Sequence, residues 1–258
     1  MSSLWPIKVS SRTDIGCGRE HNEDSFIEWR LKPRSTAAPH DGAMLAVADG
    51  IGGHNHGEVA SRMVCELLAA QIRELGGKPQ TTKSFCTSME NIFRDINDAV
   101  ISEGERNPIY QGMGTTLTSL VLFAKYCLIA HVGDCRVHRL RDGEFTQLTP
   151  DHTMVQSMLE KGILNEEQAA VHPYRNILTA AMGKDPELAQ IYTHIEVMAP
   201  GDKYLICSDG LHGFVSTDKL ASALDYSQSP DMVCDRLVSE ALKLETTDNV
   251  TVVSSFIE

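Results

Sequence analysis

The residues able to do chemistry in this chain are carboxylates placed at the ends of apolar runs. Asp49 follows Leu-Ala-Val-Ala, Asp134 follows Ile-Ala-His-Val-Gly, and Asp209 follows Leu-Ile-Cys-Ser. Asp248 precedes the last apolar run, and Glu23 and Asp24 precede an early one. Short apolar runs closed by such residues read as buried strands. Strand ends on one rim of a layered fold converge in space, and carboxylates gathered there repel one another unless cations join them. Oxygen-only ligation selects hard divalent ions, Mg²⁺ or Mn²⁺. The glycine after Asp49 fits this reading, because Gly50 has no Cβ and its carbonyl can approach an ion closely. Taken singly, Asp49, Asp142 and Asp209 are each followed by Gly and read as turn dipeptides. Asp142-Gly143 lies between two strand patterns and stays a hairpin turn.

The elements that must position these residues follow from hydrophobic period. Short strands are expected around Ile7 to Val9 and Ser25 to Trp29, then at Met44 to Ala48, with a Pro- and Ala-containing loop over Lys32 to Gly42. The period changes near Glu58. Val59, Ala60, Met63, Val64, Leu67, Leu68, Ile72 and Leu75 make one helical face, stopped by Gly76-Gly77 and Pro79. A second helix from about Ser84 carries Phe85, Met89, Ile92, Phe93, Ile96 and Val100, and Gly104 and Pro108 close it. Strands follow at Thr115 to Phe123, Tyr126 to Val132 and Arg136 to Leu140. Short helices are expected at Thr153 to Glu160 and Glu166 to Val171, a strand at Lys203 to Cys207, helices at Asp218 to Leu224 and Met232 to Leu244, and a final strand at Val250 to Ile257. Hairpin-linked strands alternating with blocks of two helices specify an α+β fold with two antiparallel sheets covered by helices. Residues 1–258 read as one domain, with 149–186 as an inserted flap.

Bulk composition narrows the function. The chain has 258 residues, 42% hydrophobic and 22% charged, which is ordinary for a globular protein. The net charge of −12, with no basic cluster, argues against nucleic acid as a partner. Seven Cys, an odd number without a C-x-x-C, read as reduced thiols, with Cys127 and Cys207 as small core residues. No signal-peptide or membrane-spanning run is visible, so the expectation is a cytoplasmic protein away from the membrane. His54-Asn-His56 lacks a further N or S ligand at zinc spacing. Met154, Met158 and Met182 read as adaptable packing.

In order along nearly the whole chain, these strings resemble the metal-dependent protein phosphatase family (protein phosphatase type 2C), in its compact bacterial branch. Arg19-Glu-His-Asn-Glu-Asp24 resembles R-x-x-N-E-D. Ala48-Asp-Gly-Ile-Gly-Gly-His54 with Gly57-Glu-Val-Ala-Ser61 resembles D-G-M-G-G-H-x-x-G-E-x-A-S. Gly112-Met-Gly-Thr-Thr116 resembles G-M-G-T-T, and Val132-Gly-Asp-Cys-Arg136 resembles V-G-D-S-R with Cys135 for Ser. Leu148-Thr-Pro-Asp-His152 and His172-Pro-Tyr-Arg-Asn-Ile-Leu-Thr179 resemble the bacterial flap. Cys207-Ser-Asp-Gly-Leu211 and Asp248-Asn249 resemble the last two metal motifs.

The resemblance implies a four-layer α-β-β-α sandwich of two antiparallel sheets flanked by helices. It implies hydrolysis of phosphoserine and phosphothreonine in proteins, opposing a serine/threonine kinase, by a small monomeric signalling enzyme. Two Mn²⁺ or Mg²⁺ ions would occupy a core site: Asp49 bridging, Glu23 and the Gly50 carbonyl completing one ion, Asp209 and Asp248 holding the other. Asp134 with Asp209 would bind a third, weaker ion. Two cations about 4 Å apart lower the pKa of a shared water and clamp an in-line displacement at phosphorus. Arg19 would grip the substrate phosphate with its planar fork, and Asp24 would orient its neighbours. On its own, Arg19 reads equally as a surface ion pair with Glu20. Ile51 stands where many animal relatives carry His. His54, three residues on, reads either as the proton donor to the leaving group or as a cap of the next helix. Gly213 stands where some relatives carry a further Asp, and Ala180 where bacterial flaps carry Arg. A catalytically silent binding domain of the same fold, or another metal hydrolase acting on small phosphate esters, are the competing readings. The presence of Glu23, Asp49, Asp209 and Asp248 together favours an active enzyme.

Overall fold

The computed structural model describes residues 5–31, 42–51, 56–75 and 82–258. Among the described residues the apolar runs form ten strands in two sheets, every pairing antiparallel. One sheet has the order β1 (Ile7–Asp14), β10 (Val250–Ile257), β9 (Lys203–Cys207), β6 (Arg136–Arg141) and β7 (Glu144–Gln147). The other has the order β2 (Asp24–Leu31), β3 (Gly42–Asp49), β4 (Leu117–Phe123), β5 (Tyr126–Val132) and β8 (Tyr192–Val197). Strands covered on both faces lose the apolar–polar alternation and read as continuous apolar runs. Residues 42–48 of β3 and all of β10 are buried, as that rule requires.

Two sheets leave three apolar layers to fill. Between them lie Leu45, Val47, Leu120, Ile129, Val137, Tyr204, Ile206 and Val253. On the outside of one sheet, α1 (Gly57–Leu75) and α2 (Thr82–Arg106) bury Ala60, Val64, Leu68, Phe93 and Ile96 against Met44, Ala46 and Val121. On the outside of the other, α6 (Thr217–Tyr226) and α7 (Pro230–Lys243) bury Leu220, Leu224, Val233 and Leu237 against Leu205 and Val252. The result is the expected α-β-β-α sandwich. Phe93 is fully buried, and truncating a core Phe to Ala costs about 3–5 kcal/mol. Local chemistry ends the helices. Ser229 Oγ accepts from Met232 N (3.4 Å) with Pro230 in the first turn of α7. Lys203 Nζ donates to the carbonyls of Leu224 (2.6 Å), Asp225 (3.1 Å) and Ser227 (3.2 Å) where α6 stops.

Several expectations are corrected. Strand β8 is absent from the sequence reading: Tyr192–Val197 mixes His and Glu into an edge strand exposed along one side, so no period stands out. β1 runs on to Asp14, because β10 supplies partners along its whole length even where its residues are polar. Gly104 lies inside α2, which ends at Arg106; the helix tolerates it because Tyr110 O would sit 3.1 Å from any Cβ there. The strand expected from Thr115 starts at Leu117. Asp209-Gly210 does not make a turn but opens a four-residue helix, α5 (Asp209–His212). Asp142 (φ 51°) and Gly143 (φ 81°) do form the β6–β7 hairpin, both with the positive φ of a type I′ loop. Residues 154–160 and 166–170 form α3 and α4. Met182 is fully buried, while Met154 and Met158 are half-buried. The loop at 32–41, Gly76-Gly77, Pro79 and His54 lie outside the described residues. Among the described residues no helix is long and apolar enough to cross a membrane.

Candidate active site

Register brings the carboxylates together. Asp24 opens β2 directly opposite Asp49, the last residue of β3. Ser208 N donates to Thr251 O (3.1 Å), which sets Asp209 beside the start of β10 and Asp248 just before it. Asp134 follows β5 at the same rim. All of the described acidic residues expected at the site therefore meet in one cluster: Glu23, Asp24, Asp49, Asp134, Asp209 and Asp248.

The backbone around Asp49 and Gly50 is held from several directions. Asp49 N donates to Thr116 Oγ1 (2.8 Å), Asp49 O accepts from Thr116 N (2.8 Å) and Thr115 Oγ1 (2.8 Å), and Ile51 N donates to Gly114 O (2.9 Å). Gly50 N donates to Glu23 O (3.1 Å), which also accepts from Ser61 Oγ (2.6 Å) of α1. A Cβ on Gly50 would lie 2.5 Å from Gly57 and 2.6 Å from Glu23 O, so only Gly fits where the helix start and the two loops touch. Asp134 is fixed by its turn. Gly133, at φ 116°, has no room for a Cβ against Thr116 (2.5 Å). Gly133 N donates to His152 Nδ1 (3.2 Å), and His152 N donates to Gly133 O (2.7 Å). His212 of α5 donates from Nε2 to Asp134 O (3.0 Å), since a carbonyl only accepts.

Arg19 reaches into the cluster. Its Nη2 bonds Asp248 Oδ2 (2.8 Å), and its Nη1 lies 4.0 Å from Glu23 Oε2. This corrects the alternative reading of a surface pair with Glu20. A second arginine beside the cluster, Arg136, is committed to Asp151 through a two-pronged bond (Nε to Oδ1 2.9 Å, Nη2 to Oδ2 2.7 Å).

Sequence reasoning gave no role to three residues that hold these groups. Asn249 Oδ1 accepts from Glu23 N (2.7 Å), while its Nδ2 donates to the carbonyls of Ile15 (2.9 Å) and His21 (3.0 Å), so one side chain fastens the loop carrying Arg19 and Glu23. Ser208 Oγ donates to Asp24 Oδ2 (2.8 Å) and accepts from Thr251 N (3.0 Å). Thr116 is the third. Their sequence signal is membership of the short motifs: Ser208 and Asn249 lie next to Asp209 and Asp248, and Thr116 ends Gly112-Met-Gly-Thr-Thr116.

The electrostatics are those of charges left short of compensation. Burial first, and then Asp24, Asp209, Asp134 and Asp248, push the Asp49 carboxyl well above the ordinary range. Burial and Asp209 do the same to Asp134. Burial raises Asp24 to about 7 against its bonds from Ser208, and raises Asp209, with help from Asp248, to about 6. Asp24 Oδ1 and Asp209 Oδ1 are buried with no hydrogen-bond partner. Asp49 and Asp209 stand within hydrogen-bonding reach, which two ionised carboxylates sustain only with a shared proton or a cation. Among the described residues no three of these side chains are drawn into a finished ligand shell. The donor set is nonetheless all oxygen, over-charged and partly orphaned, and it fits hard divalent cations.

A family model for protein phosphatase 2C matches residues 20–245. The serine/threonine protein phosphatase PstP of Mycobacterium tuberculosis is 36% identical over 248 residues, 96% of this chain and 44% of that protein. The chain thus spans less than half of that relative's length. A putative protein phosphatase 2C-type of Streptococcus pyogenes is 31% identical over 256 residues, covering 95% of this chain and 96% of the relative. The crystal structure of the PstP catalytic domain in complex with two manganese ions superposes with a TM-score of 0.82 at 32% identity over 99% of each chain. This chain belongs to the protein phosphatase 2C family.

Proposed function

We propose that the chain is a metal-dependent serine/threonine protein phosphatase. The observation that carries this is the convergence of six carboxylates on one rim, two of them with orphaned buried oxygens, beside the Arg19 guanidinium that bonds one of them, Asp248. Asp49 would bridge two Mn²⁺ or Mg²⁺ ions. Glu23 and the Gly50 carbonyl would complete one, Asp209 and Asp248 the other, and Asp134 with Asp209 a third, weaker site. When bound, the cations lower the pKa of a water held with them and neutralise charge developing on the phosphoryl oxygens.

The chain's own groups do the rest. Arg19 stays charged, is 37% exposed in its side chain, and lies where its fork can turn from Asp248 to phosphoryl oxygens. Its position orients the phosphate for in-line attack. Asp24, held by Ser208, fixes the geometry of Asp49 across the β2–β3 pair. None of the buried cysteines serves as nucleophile: burial pushes the Cys135 thiol well up, and Cys65, Cys207 and Cys234 to about 12, so none offers a thiolate. His54 remains one donor for the leaving alkoxide, with solvent water the other.

Residues 1–258 act in this proposal as one catalytic domain, and 149–186 as a flap rooted beside the site. Support for the flap comes from the His152 N bond to Gly133 O (2.7 Å) near its start and the bridge Thr115↔Met182 near its end, with Thr153↔Leu178 pairing its two arms. Seven unpaired thiols fit a reducing, cytoplasmic setting. Phosphorylated proteins are the proposed substrates, a serine/threonine kinase or its targets among them, and a monomer the proposed state. The test is turnover of a phosphothreonine peptide with Mn²⁺, with Mg²⁺ and with EDTA, beside Asp209→Ala. Activity abolished by both EDTA and the substitution is expected; activity surviving EDTA would reject the metal-dependent site.

A further inference from the structure

Asp134 and Asp209 come from different layers of sequence, one after β5 and one at the start of α5. The β6–β9 ladder brings them near, since it pairs Arg136 with Cys207, each two residues from one of the two carboxylates. One side chain adds a direct link between the turn and the helix. His212 lies three residues after Asp209 on α5, which places both on the same side of that helical turn. From there its Nε2 bonds the main-chain carbonyl of Asp134 at 3.0 Å. The helix that carries one carboxylate therefore grips the backbone of the other.

The opposite side of the Asp134 turn is gripped independently. His152 bonds Gly133 through both its backbone N–H (2.7 Å) and its ring Nδ1 (3.2 Å). Thr118 Oγ1 reaches Cys135 O at 3.4 Å. With the turn pinned to the sheet on one side and its following strand paired to β9, the His212 bond is a direct side-chain link from α5 to the turn. The α5 backbone has few alternatives: Gly210 sits against Asn249 O, where a Cβ would come within 2.0 Å, so the helix is pressed onto the strand start that carries Asp248.

We propose that His212 is a positioning residue that fixes the spacing of Asp134 and Asp209, and so sets the affinity of the cation these two would share. This rests on the metal-dependent reading above. A residue that orients ligands without touching the ion is worth about 10–100-fold in affinity when removed. His212→Ala deletes the bond. His212→Gln keeps an N–H donor at similar reach. His212 lies outside the residues proposed to touch the two core ions.

The experiment is Mn²⁺ titration of the full chain by calorimetry, with bound ions counted by electron paramagnetic resonance, for the parent, His212→Ala, His212→Gln and Asp209→Ala, alongside melting curves. For His212→Ala we expect the weakest Mn²⁺ to bind about 10–100-fold less tightly, the tighter ions to be unchanged, and His212→Gln to recover most of the loss. The Mn²⁺ concentration for half-maximal phosphopeptide turnover should rise in parallel. A His212→Ala titration that overlays the parent overturns the proposal. So does equal weakening of every ion with a lowered melting temperature, or a Gln variant no better than Ala, since each assigns His212 a packing role only. If Asp209→Ala itself binds Mn²⁺ like the parent, it is the metal-dependent reading that fails, which separates the two outcomes.

Discussion

Strand β9 joins two clusters of buried carboxylates that behave in opposite ways. Before it stands Asp202, 1% exposed. Asp202 accepts from Arg141 Nε and Nη2 (both 2.6 Å), Ala199 N (2.7 Å) and Tyr204 OH (3.1 Å). Its neighbour Glu196 accepts from Arg139 and from Tyr204 OH (3.1 Å). Two carboxylates there meet two guanidiniums, and Arg141 is held more firmly charged chiefly by its bond to Asp202. After β9 stands Asp209, in a cluster where six carboxylates meet Arg19 and the field of Arg136, itself bonded to Asp151, and two oxygens are orphaned. The first arrangement is complete within the chain and fastens β6, β8 and β9 across the two sheets. The second is incomplete until something positive arrives. A buried acid is therefore informative only with its partners counted.

That contrast is broken or sharpened most directly by paired substitutions. Asp202→Asn should destabilise the fold by about 1–3 kcal/mol, because the buried carboxylate loses its charged bonds to the part-exposed Arg141, while the folded fraction keeps its turnover. Asp209→Asn should do the reverse: turnover falls by at least about 10²-fold, and the cation-free chain melts no lower than the parent, because like-charge repulsion is relieved. Urea denaturation and phosphopeptide turnover on both variants decide it. If Asp209→Asn destabilises as much as Asp202→Asn, the two clusters are not different in kind.

A middle-sized effect is expected in pH dependence. Asp24 (about 7) and Asp209 (about 6) are raised above the unfolded value near 3.8. The folded, cation-free chain then binds more protons than the unfolded chain between about pH 4 and 7, so this contribution to stability falls as pH rises. Buried neutral histidines act with the opposite sign. His131 and His138 are lowered to about 3 and His212 to about 4, in each case mainly by burial, so their contribution is lost as pH falls below about 6.5. Urea midpoints at about pH 4.5, 5.5 and 6.5 should rise more steeply with Mn²⁺ present, or in Asp209→Asn, than in the cation-free parent. Parallel slopes would mean the acidic cluster carries no such frustration.

The smallest effect tests the supports. Ser61→Ala removes the hydroxyl that bonds Glu23 O, at a cost of about 1 kcal/mol. Asn249→Ala loses three bonds to the loop bearing Arg19 and Glu23, so its KM for phosphopeptide should rise more than that of Ser61→Ala. Equal KM values for the two would show that this loop does not set Arg19.

The sequence alone determined the order of most elements, the two helix pairs and the oxygen-donor chemistry, but not β8 or α5. Hydrophobic period and short motifs are local, and they survive being read without a fold. It also picked out six acids that the fold brings to one rim, because each sits beside an apolar run. Tertiary structure alone decided which acids are satisfied. Asp151, Asp202 and Asp209 look alike as residues beside short strands, yet Arg136 pairs with the first and Arg141 with the second, while the third keeps a buried oxygen, Oδ1, with no hydrogen-bond partner. It also decided that Arg19 joins Asp248, 229 positions away, and that an edge strand at Tyr192–Val197 finds its partner in β5. Compensation of charge depends on which distant side chains the packing of two sheets brings within about 3 Å, and no local pattern encodes that distance.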